Sequence, residues 1–305
     1  MKNLLIIILL INSVVFTQSI NENYKVEEKI NGGSESVGVF NTVEYSVADK
    51  NGSILYKITN QTDYDIPYSH LYAFENGGSV LISSFYGMLT FYNSSGTKIT
   101  DKMIKENVIG EYERSIKAVV DNNSLIIQFG ELNDNFSTIQ KYGFNGRLVS
   151  SIKIELTNIN GLAYSEKLGQ IYLSHVEWNN DGSADKKVSL FNEIGQVQKQ
   201  YDAFFDKGFF TGDNRFVAFS NKTLLTVNTE SLEVIFKNKA NDNEMFLDIT
   251  VSKEKIVAVS ARPPKLQNGK WYYEDPTILK LDNSGKIIKE NKIETDLFSD
   301  YEFTT

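Results

Sequence analysis

The chain has 305 residues, no cysteine and a net charge of −8. Thiol chemistry and zinc–thiolate sites are therefore excluded, and an acidic chain without a basic stripe argues against nucleic acid, where phosphate neutralisation supplies most of the affinity. Aromatic residues make up 12% of the chain and proline only 4 positions, a balance that suits pleated, half-buried strands.

The chain opens with Lys2, an apolar run from Leu4 to Ile11, Asn12-Ser13, a second short run from Val14 to Phe16, and Thr17-Gln18-Ser19. A charged start, a short apolar core and small or polar residues after it make the layout of a secretory signal peptide over residues 1–19. The apolar run is short for a membrane span, and the rest of the sequence has no comparable run. The expectation is a secreted or periplasmic protein, residues 20–305, that does not insert in a membrane. The triplets Asn60-Gln61-Thr62, Asn93-Ser94-Ser95 and Asn221-Lys222-Thr223 fit the N-glycosylation pattern, but an Asn-rich chain produces such triplets by chance.

From residue 24 onward one element recurs: an alternating strand ending in Asp or Asn, two further residues, Gly, and a second alternating strand. It stands at Asp49-Lys50-Asn51-Gly52, Asn93-Ser94-Ser95-Gly96, Asn192-Glu193-Ile194-Gly195 and Asp282-Asn283-Ser284-Gly285, with a tighter copy at Phe144-Asn145-Gly146 and a looser one at Asn228-Thr229-Glu230-Ser231. The Asx side chain accepts backbone N–H groups further along the turn, and Gly supplies the positive φ of a type I turn with a bulge. A second hairpin lies upstream of most copies, for example Leu71–Phe74 with Ser79–Ser83 and Ile116–Val120 with Leu125–Phe129. The copies are spaced by about 47 residues on average, a period found among propeller blades. The sequence therefore predicts an all-β single-domain β-propeller over residues 20–305, with six four-stranded blades and seven as the alternative. Asp101–Glu113 is the one helix-compatible stretch, and Asp296–Thr305 is expected to add a strand that closes the ring with the N-terminal segment.

This hairpin pattern and spacing resemble the broad group of bacterial secreted six-bladed β-propellers that includes NHL-repeat, TolB-like and gluconolactonase-like proteins. The resemblance implies the fold. It assigns no catalytic residue.

In a four-stranded blade the loops between second and third strands emerge at the end opposite the Asx turns, and long loops mark a functional face. Three are long. Gly130–Ser137 offers Glu131, Asp134 and Phe136 without a pattern. His175–Lys187 carries Glu177, Asn179, Asp181, Ser183 and Asp185, oxygen ligands at alternate positions with Gly182 at the sixth, which matches the front of a calcium loop. It departs from that pattern at Glu177, where Asp is usual, and at Val188, where the bidentate Glu is missing. Ala261–Thr277 holds Arg262, Trp271, Tyr272, Tyr273, Glu274 and Asp275; with His175 these are the candidate ligand-binding residues, since Trp and Tyr give large contact area with few rotors. Catalytic constellations are thin. Only His70 and His175 could serve a triad, and no nucleophile elbow surrounds a serine. Glu113, Asp213 and Asp248 fall near inner-strand ends, where a carboxylate metal site of a lactonase-like enzyme would converge. Three readings stay open: a binding propeller for a glycan, peptide or protein; a metal-dependent hydrolase; and a structural or sensor-associated propeller without a small ligand.

Overall fold

A computed structural model describes residues 23–31, 41–62, 69–83, 87–104, 116–130, 136–179, 181–211, 213–240, 243–251, 256–267, 270–293 and 297–299. The leader at residues 1–19, Glu113, Glu131 and Asp134 lie outside them. The chain divides into two compact units, residues 1–157 with 166–168, and residues 158–165 with 169–305.

The first unit holds three antiparallel sheets. One is β1 (Tyr24–Asn31), β2 (Asn41–Asp49) and β3 (Ile54–Thr62); the next is β4 (Ser69–Ala73), β5 (Ser79–Ser83), β6 (Met88–Tyr92) and β7 (Lys98–Met103); the third is β8 (Lys117–Asp121), β9 (Ser124–Gly130), β10 (Ser137–Gly143) and β11 (Leu148–Ile154). Their alternating apolar residues meet face to face. Val43, Tyr45, Val47 and Ile58 of the first sheet pack on Leu71, Ala73 and Leu81 of the second. Val80, Ile82, Leu89 and Phe91 pack in turn on Ala118, Val120, Leu125 and Ile127 of the third. Both faces of the second sheet are thus covered, which is why β5 is buried along its whole length. Tyrosine hydroxyls tie neighbouring sheets where their rings are buried: Tyr45 donates to the Ser69 carbonyl at 2.8 Å and Tyr56 to the Gly77 carbonyl at 3.1 Å.

The second unit repeats the plan. Its sheets are β12 (Ile159–Ser165), β13 (Gln170–Trp178), β14 (Ala184–Asn192) and β15 (Val197–Tyr201); then β16 (Lys207–Thr211), β17 (Arg215–Phe219), β18 (Thr223–Asn228) and β19 (Val234–Lys239). The last four-stranded sheet runs β20 (Met245–Val251), β21 (Ile256–Ala261), β24 (Thr277–Leu281) and β25 (Ile287–Lys292). Between its second and third strands the chain inserts β22 (Lys265–Gln267) and β23 (Lys270–Tyr273). Tyr172, Val188, Leu190 and Tyr201 pack on Phe216, Ala218 and Leu225, with Tyr172 and Phe216 stacked at 3.9 Å between centroids. Val217, Phe219 and Leu224, from the other face of that middle sheet, meet Phe246, Ile249, Ile256 and Ala258.

The recurrent turns close as the sequence predicts. In each of the four full copies the Asx carbonyl accepts from the glycine N–H, and its side-chain Oδ1 accepts the N–H groups two and four residues on, as at Asn93 with Ser95 (3.0 Å) and Thr97 (2.9 Å). Two copies differ from the sequence reading. The turn at Phe144-Asn145-Gly146 is not tighter; it spans Gly143 to Arg147 like the others, with glycine in the first position. The looser turn at Asn228 carries one extra residue, so that Leu232 takes the positive φ, at 58°. Asp101–Met103 is extended at the end of β7, and the rest of the helix-compatible stretch lies largely outside the described residues. The C-terminal strand also differs from expectation. β26 (Leu297–Ser299) pairs with β23 rather than with the N-terminal segment, because the inserted hairpin leaves one edge of β23 open to it. Among the described residues no helix is long and apolar enough to cross a membrane.

Candidate functional site

The β13–β14 hairpin has the longest strands of the second unit. Both strands have nine residues, whereas the other second and third strands of that unit have five or six. β12 pairs with β13 only as far as His175, and β15 with β14 only from Val188. Beyond those points Val176–Trp178 pair with Ala184–Lys186 alone within the sheet, with one further backbone bond, at 3.3 Å, from Val176 N–H to the Asn158 carbonyl. An isolated two-stranded ribbon is marginal in water, so the tip needs fixings of its own. Asn179 and Ser183 close it with a backbone bond at 2.8 Å, Gly182 takes φ +81°, and Asp181 Oδ1 accepts from Ser183 N at 2.9 Å and Oγ at 2.6 Å. These bonds hold the Asp181 carboxyl below the usual carboxylate range. Asn179 Nδ2 donates to Ser183 Oγ at 3.0 Å and to Asp185 Oδ2 at 3.3 Å. At the base, Lys187 binds Asp202 at 2.5 Å and Lys186 lies 4.7 Å over the Phe204 ring.

The five oxygen-bearing residues from Glu177 to Asp185 are therefore gathered at one tip, with Glu177 and Asp185 directly opposite one another. The bonds of Asn179, Asp181, Ser183 and Asp185 run to one another. Among the described residues no group of three or more His, Cys, Asp or Glu side chains is placed to hold a metal ion.

Trp178 stands at this tip with 67% of its surface exposed. Its partner across the hairpin is Ala184, too small to cover an indole. On the same face follow Val176 and Lys186. Sequence reasoning missed Trp178 as a binding candidate; the signal available was a tryptophan one residue before an Asx turn in a hairpin of two nine-residue strands.

The other face of the hairpin is polar and buried at its root. His175 is fully buried, with Nε2 2.8 Å from Ser189 Oγ, and Gln200 Nε2 donates to the same oxygen at 3.0 Å. Glu177 Oε1 lies 3.8 Å from His175 Nδ1. Burial pushes the imidazole down from its ordinary 6.5; the Glu177 charge opposes this and the Lys187 charge adds to it. The connectivity is that of a serine, histidine and carboxylate in series. Ser189 is itself fully buried in the middle of β14, so no substrate reaches its oxygen in this conformation.

The inserted hairpin gathers most of the remaining candidates. Arg262 Nη2 pairs with Asp275 Oδ2 at 3.0 Å, and Arg262 N–H donates to the Glu274 carbonyl at 2.9 Å. Lys265 binds Glu274 at 2.8 Å. Asp275 takes φ 51°, turning the chain back into the sheet. Trp271 and Tyr272 lie in β23 by their backbones, opposite Leu266 and Lys265; their side chains lie outside the described residues. Tyr273 is half-buried.

Of the carboxylates proposed for a hydrolase, Glu113 lies outside the described residues, and Asp213 and Asp248 each have a basic partner of their own. Asp213 sits in the β16–β17 turn against Arg215 at 2.8 Å and accepts from the Thr211 hydroxyl, while Asp248 pairs with Lys207 at 3.3 Å, at the opposite end of β16. His70 is half-exposed, 4.0 Å from Glu28.

No family model matches the sequence, and no relative emerges among curated proteins. Solved structures do match. A chain of a mitotic checkpoint complex aligns over 94% of this chain and 87% of its own, at TM-score 0.52 and 11% identity. The C-terminal WD40 domain of Sif2 aligns over 85% and 67%, at TM-score 0.50 and 12% identity. A eukaryotic initiation factor aligns over 90% and 77%, at TM-score 0.50 and 9% identity. The chain has a β-propeller fold. At these identities the likeness carries the fold alone.

Proposed function

We propose that this chain is an exported binding propeller, of the kind found among bacterial NHL-repeat, TolB-like and gluconolactonase-like proteins, that takes a glycan, peptide or protein on the hairpins between second and third strands. The observation that carries the reading is Trp178. An indole left two-thirds exposed on a hairpin braced at both ends is the sort of rigid anchor that dominates binding interfaces. The ion-paired hairpin of Arg262, Glu274 and Asp275, with Trp271, Tyr272 and Tyr273 in its second strand, is the second contact element. The likeness to a chain solved within a mitotic checkpoint complex supports a scaffold of this kind. Export rests on the leader at residues 1–19.

The test is a glycan and peptide array probed with residues 20–305 and with Trp178→Ala and Trp271→Ala. Loss of at least about tenfold in affinity on Trp178→Ala, with the circular dichroism unchanged, supports the reading. Binding that neither substitution weakens overturns it.

A further inference from the structure

Little holds β26 in place. It has three residues, Leu297–Ser299, and among the described residues it pairs with β23 alone. The chain before it is fixed independently: β25 pairs with β24 from Ile287 to Lys292, and Ile293 N–H donates to the Pro276 carbonyl at 2.8 Å. β26 can therefore leave without disturbing the four-stranded sheet. Its few backbone bonds are set against the ordering of three residues, so the paired and released states lie close in free energy. The edge it leaves is better fixed. β22 and β23 pair with each other, and the base of the insertion is tied by Arg262 to Asp275 (3.0 Å), by Lys265 to Glu274 (2.8 Å) and by the Arg262 N–H to the Glu274 carbonyl (2.9 Å). A two-stranded ribbon is marginal in water and a third strand stabilises it. With β26 released, β23 presents unpaired N–H and C=O groups, a template for another extended chain.

The resident strand shows what chemistry the edge accepts. Residues Asp296-Leu297-Phe298-Ser299-Asp300-Tyr301-Glu302 carry three carboxylates and no basic group, whereas residues 262–273, from the entry of the insertion to the end of β23, carry Arg262, Lys265 and Lys270 and no acidic one. The register sets Phe298 opposite Tyr272 and Leu297 opposite Tyr273, and aromatic positions facing one another across an antiparallel pair favour pairing. We propose that the outer edge of β23 is a strand-addition site for extended peptides that carry an aromatic residue between carboxylates, and that β26 fills it from within the chain. Backbone hydrogen bonds supply the affinity in this mode and alternate side chains the selectivity. The proposal rests on the reading of the insertion as a contact element, and it narrows the ligand of that element to an extended acidic peptide.

The probe is a fluorescein-labelled peptide of residues 294–305. Its binding is followed by anisotropy, to the chain of residues 20–305 and to the same chain carrying Phe298→Pro, since proline cannot donate to a ladder. With the internal strand disabled the peptide should bind at least about tenfold more tightly than to the unsubstituted chain, because a tethered competitor acts at high effective concentration. Residues along an antiparallel strand alternate in whether their N–H faces the partner, so N-methylation of the peptide at Leu297 or at Phe298 must abolish binding in one of the two cases. A peptide with Asp296→Asn, Asp300→Asn and Glu302→Gln should bind several-fold more weakly; equal binding overturns the acidic preference. No binding by Phe298→Pro that is folded by circular dichroism, or binding that both N-methylated peptides retain, overturns the site. If Phe298→Pro does not fold, the unsubstituted chain carries the test: excess peptide should speed hydrogen exchange at the Leu297–Ser299 amides and leave β25 unchanged, and exchange that the peptide does not alter overturns the site. The measurement uses neither an array ligand nor Trp178, so failure of the array leaves it standing, and its own failure leaves the reading of Trp178 standing.

Discussion

Gly52 and Gly285 hold the same place in equivalent turns, with φ of +86° and +79°, yet their surroundings differ. A Cβ on Gly52 would meet nothing within 4 Å, whereas on Gly285 it would lie 2.2 Å from Cγ of Phe236 on the preceding sheet. Gly52→Ala therefore costs only the left-handed backbone, about 1–2 kcal/mol. Gly285→Ala must also displace a buried ring, adding roughly 1–3 kcal/mol as overpacking does elsewhere. Urea unfolding of the two variants side by side measures the difference, and equal losses would show that Phe236 yields freely. The positive φ was legible in the sequence from the Asx-x-x-Gly spacing. The close approach was not, because no local pattern in the chain says which aromatic of the neighbouring sheet lies beneath a turn.

At the scale of the element, the Asx turn is the unit that the repeat copies. Asn93 Oδ1 binds two backbone N–H groups that otherwise face solvent, so Asn93→Ala should lose about 1 kcal/mol. Asn93→Asp should keep both bonds and most of the stability; thermal unfolding of the three proteins is the check. The β13–β14 tip uses the same chemistry, with its oxygen atoms already engaged by Ser183 and Asn179. With those bonds made within the tip, the unfolding midpoint in EDTA is expected to match that in excess calcium. A rise of several degrees in calcium that Asp181→Ala removes would instead place the ion on Glu177, Asn179, Asp181, Ser183 and Asp185. The sequence announced this loop by its alternating oxygens, but alternate oxygens are equally what a hairpin turn needs to satisfy its own backbone. The extra residue at Asn228 was harder to see, because Leu232 at φ 58° breaks the rule that glycine or asparagine takes that position.

For the whole molecule the titrating groups set a pH profile. Burial lowers the pKa of His70 and His175 from 6.5. The unfolded chain therefore binds more protons below that value, and stability falls as the pH drops through 6.5. Asp49 and Asp282 are held below 3.8, by hydrogen bonds from Ser53 and Ser284 ahead of other contacts within their turns. Their contribution is present above the unfolded value and is lost as pH falls further, which gives a second, lower step. Glu28 and Asp121, raised by burial, act in the opposite sense and soften the decline. Midpoints measured from pH 8 to 3 should show a first loss beginning near 6.5 that His175→Gln reduces; a flat profile down to pH 4 would contradict the assignment. Blade period, hairpin order and strand faces were all readable in the chain, since each depends on contacts between near neighbours. The pairing of β26 with β23 was not, because a three-residue strand has too little pattern to name its partner.

The order of the sheets carries a consequence for how the protein is made. Nearly every strand pairs with the strand just before or after it; the exceptions are β21 with β24, across the inserted hairpin, and β23 with β26. Short-range pairing speeds folding, because little loop entropy is lost before each contact forms. Such a chain can assemble progressively as it is synthesised, each sheet maturing while the next is still emerging, and with no cysteine it waits for no oxidase. Of the two exceptions, β26 must wait longest, since β24 and β25 are made between it and its partner β23.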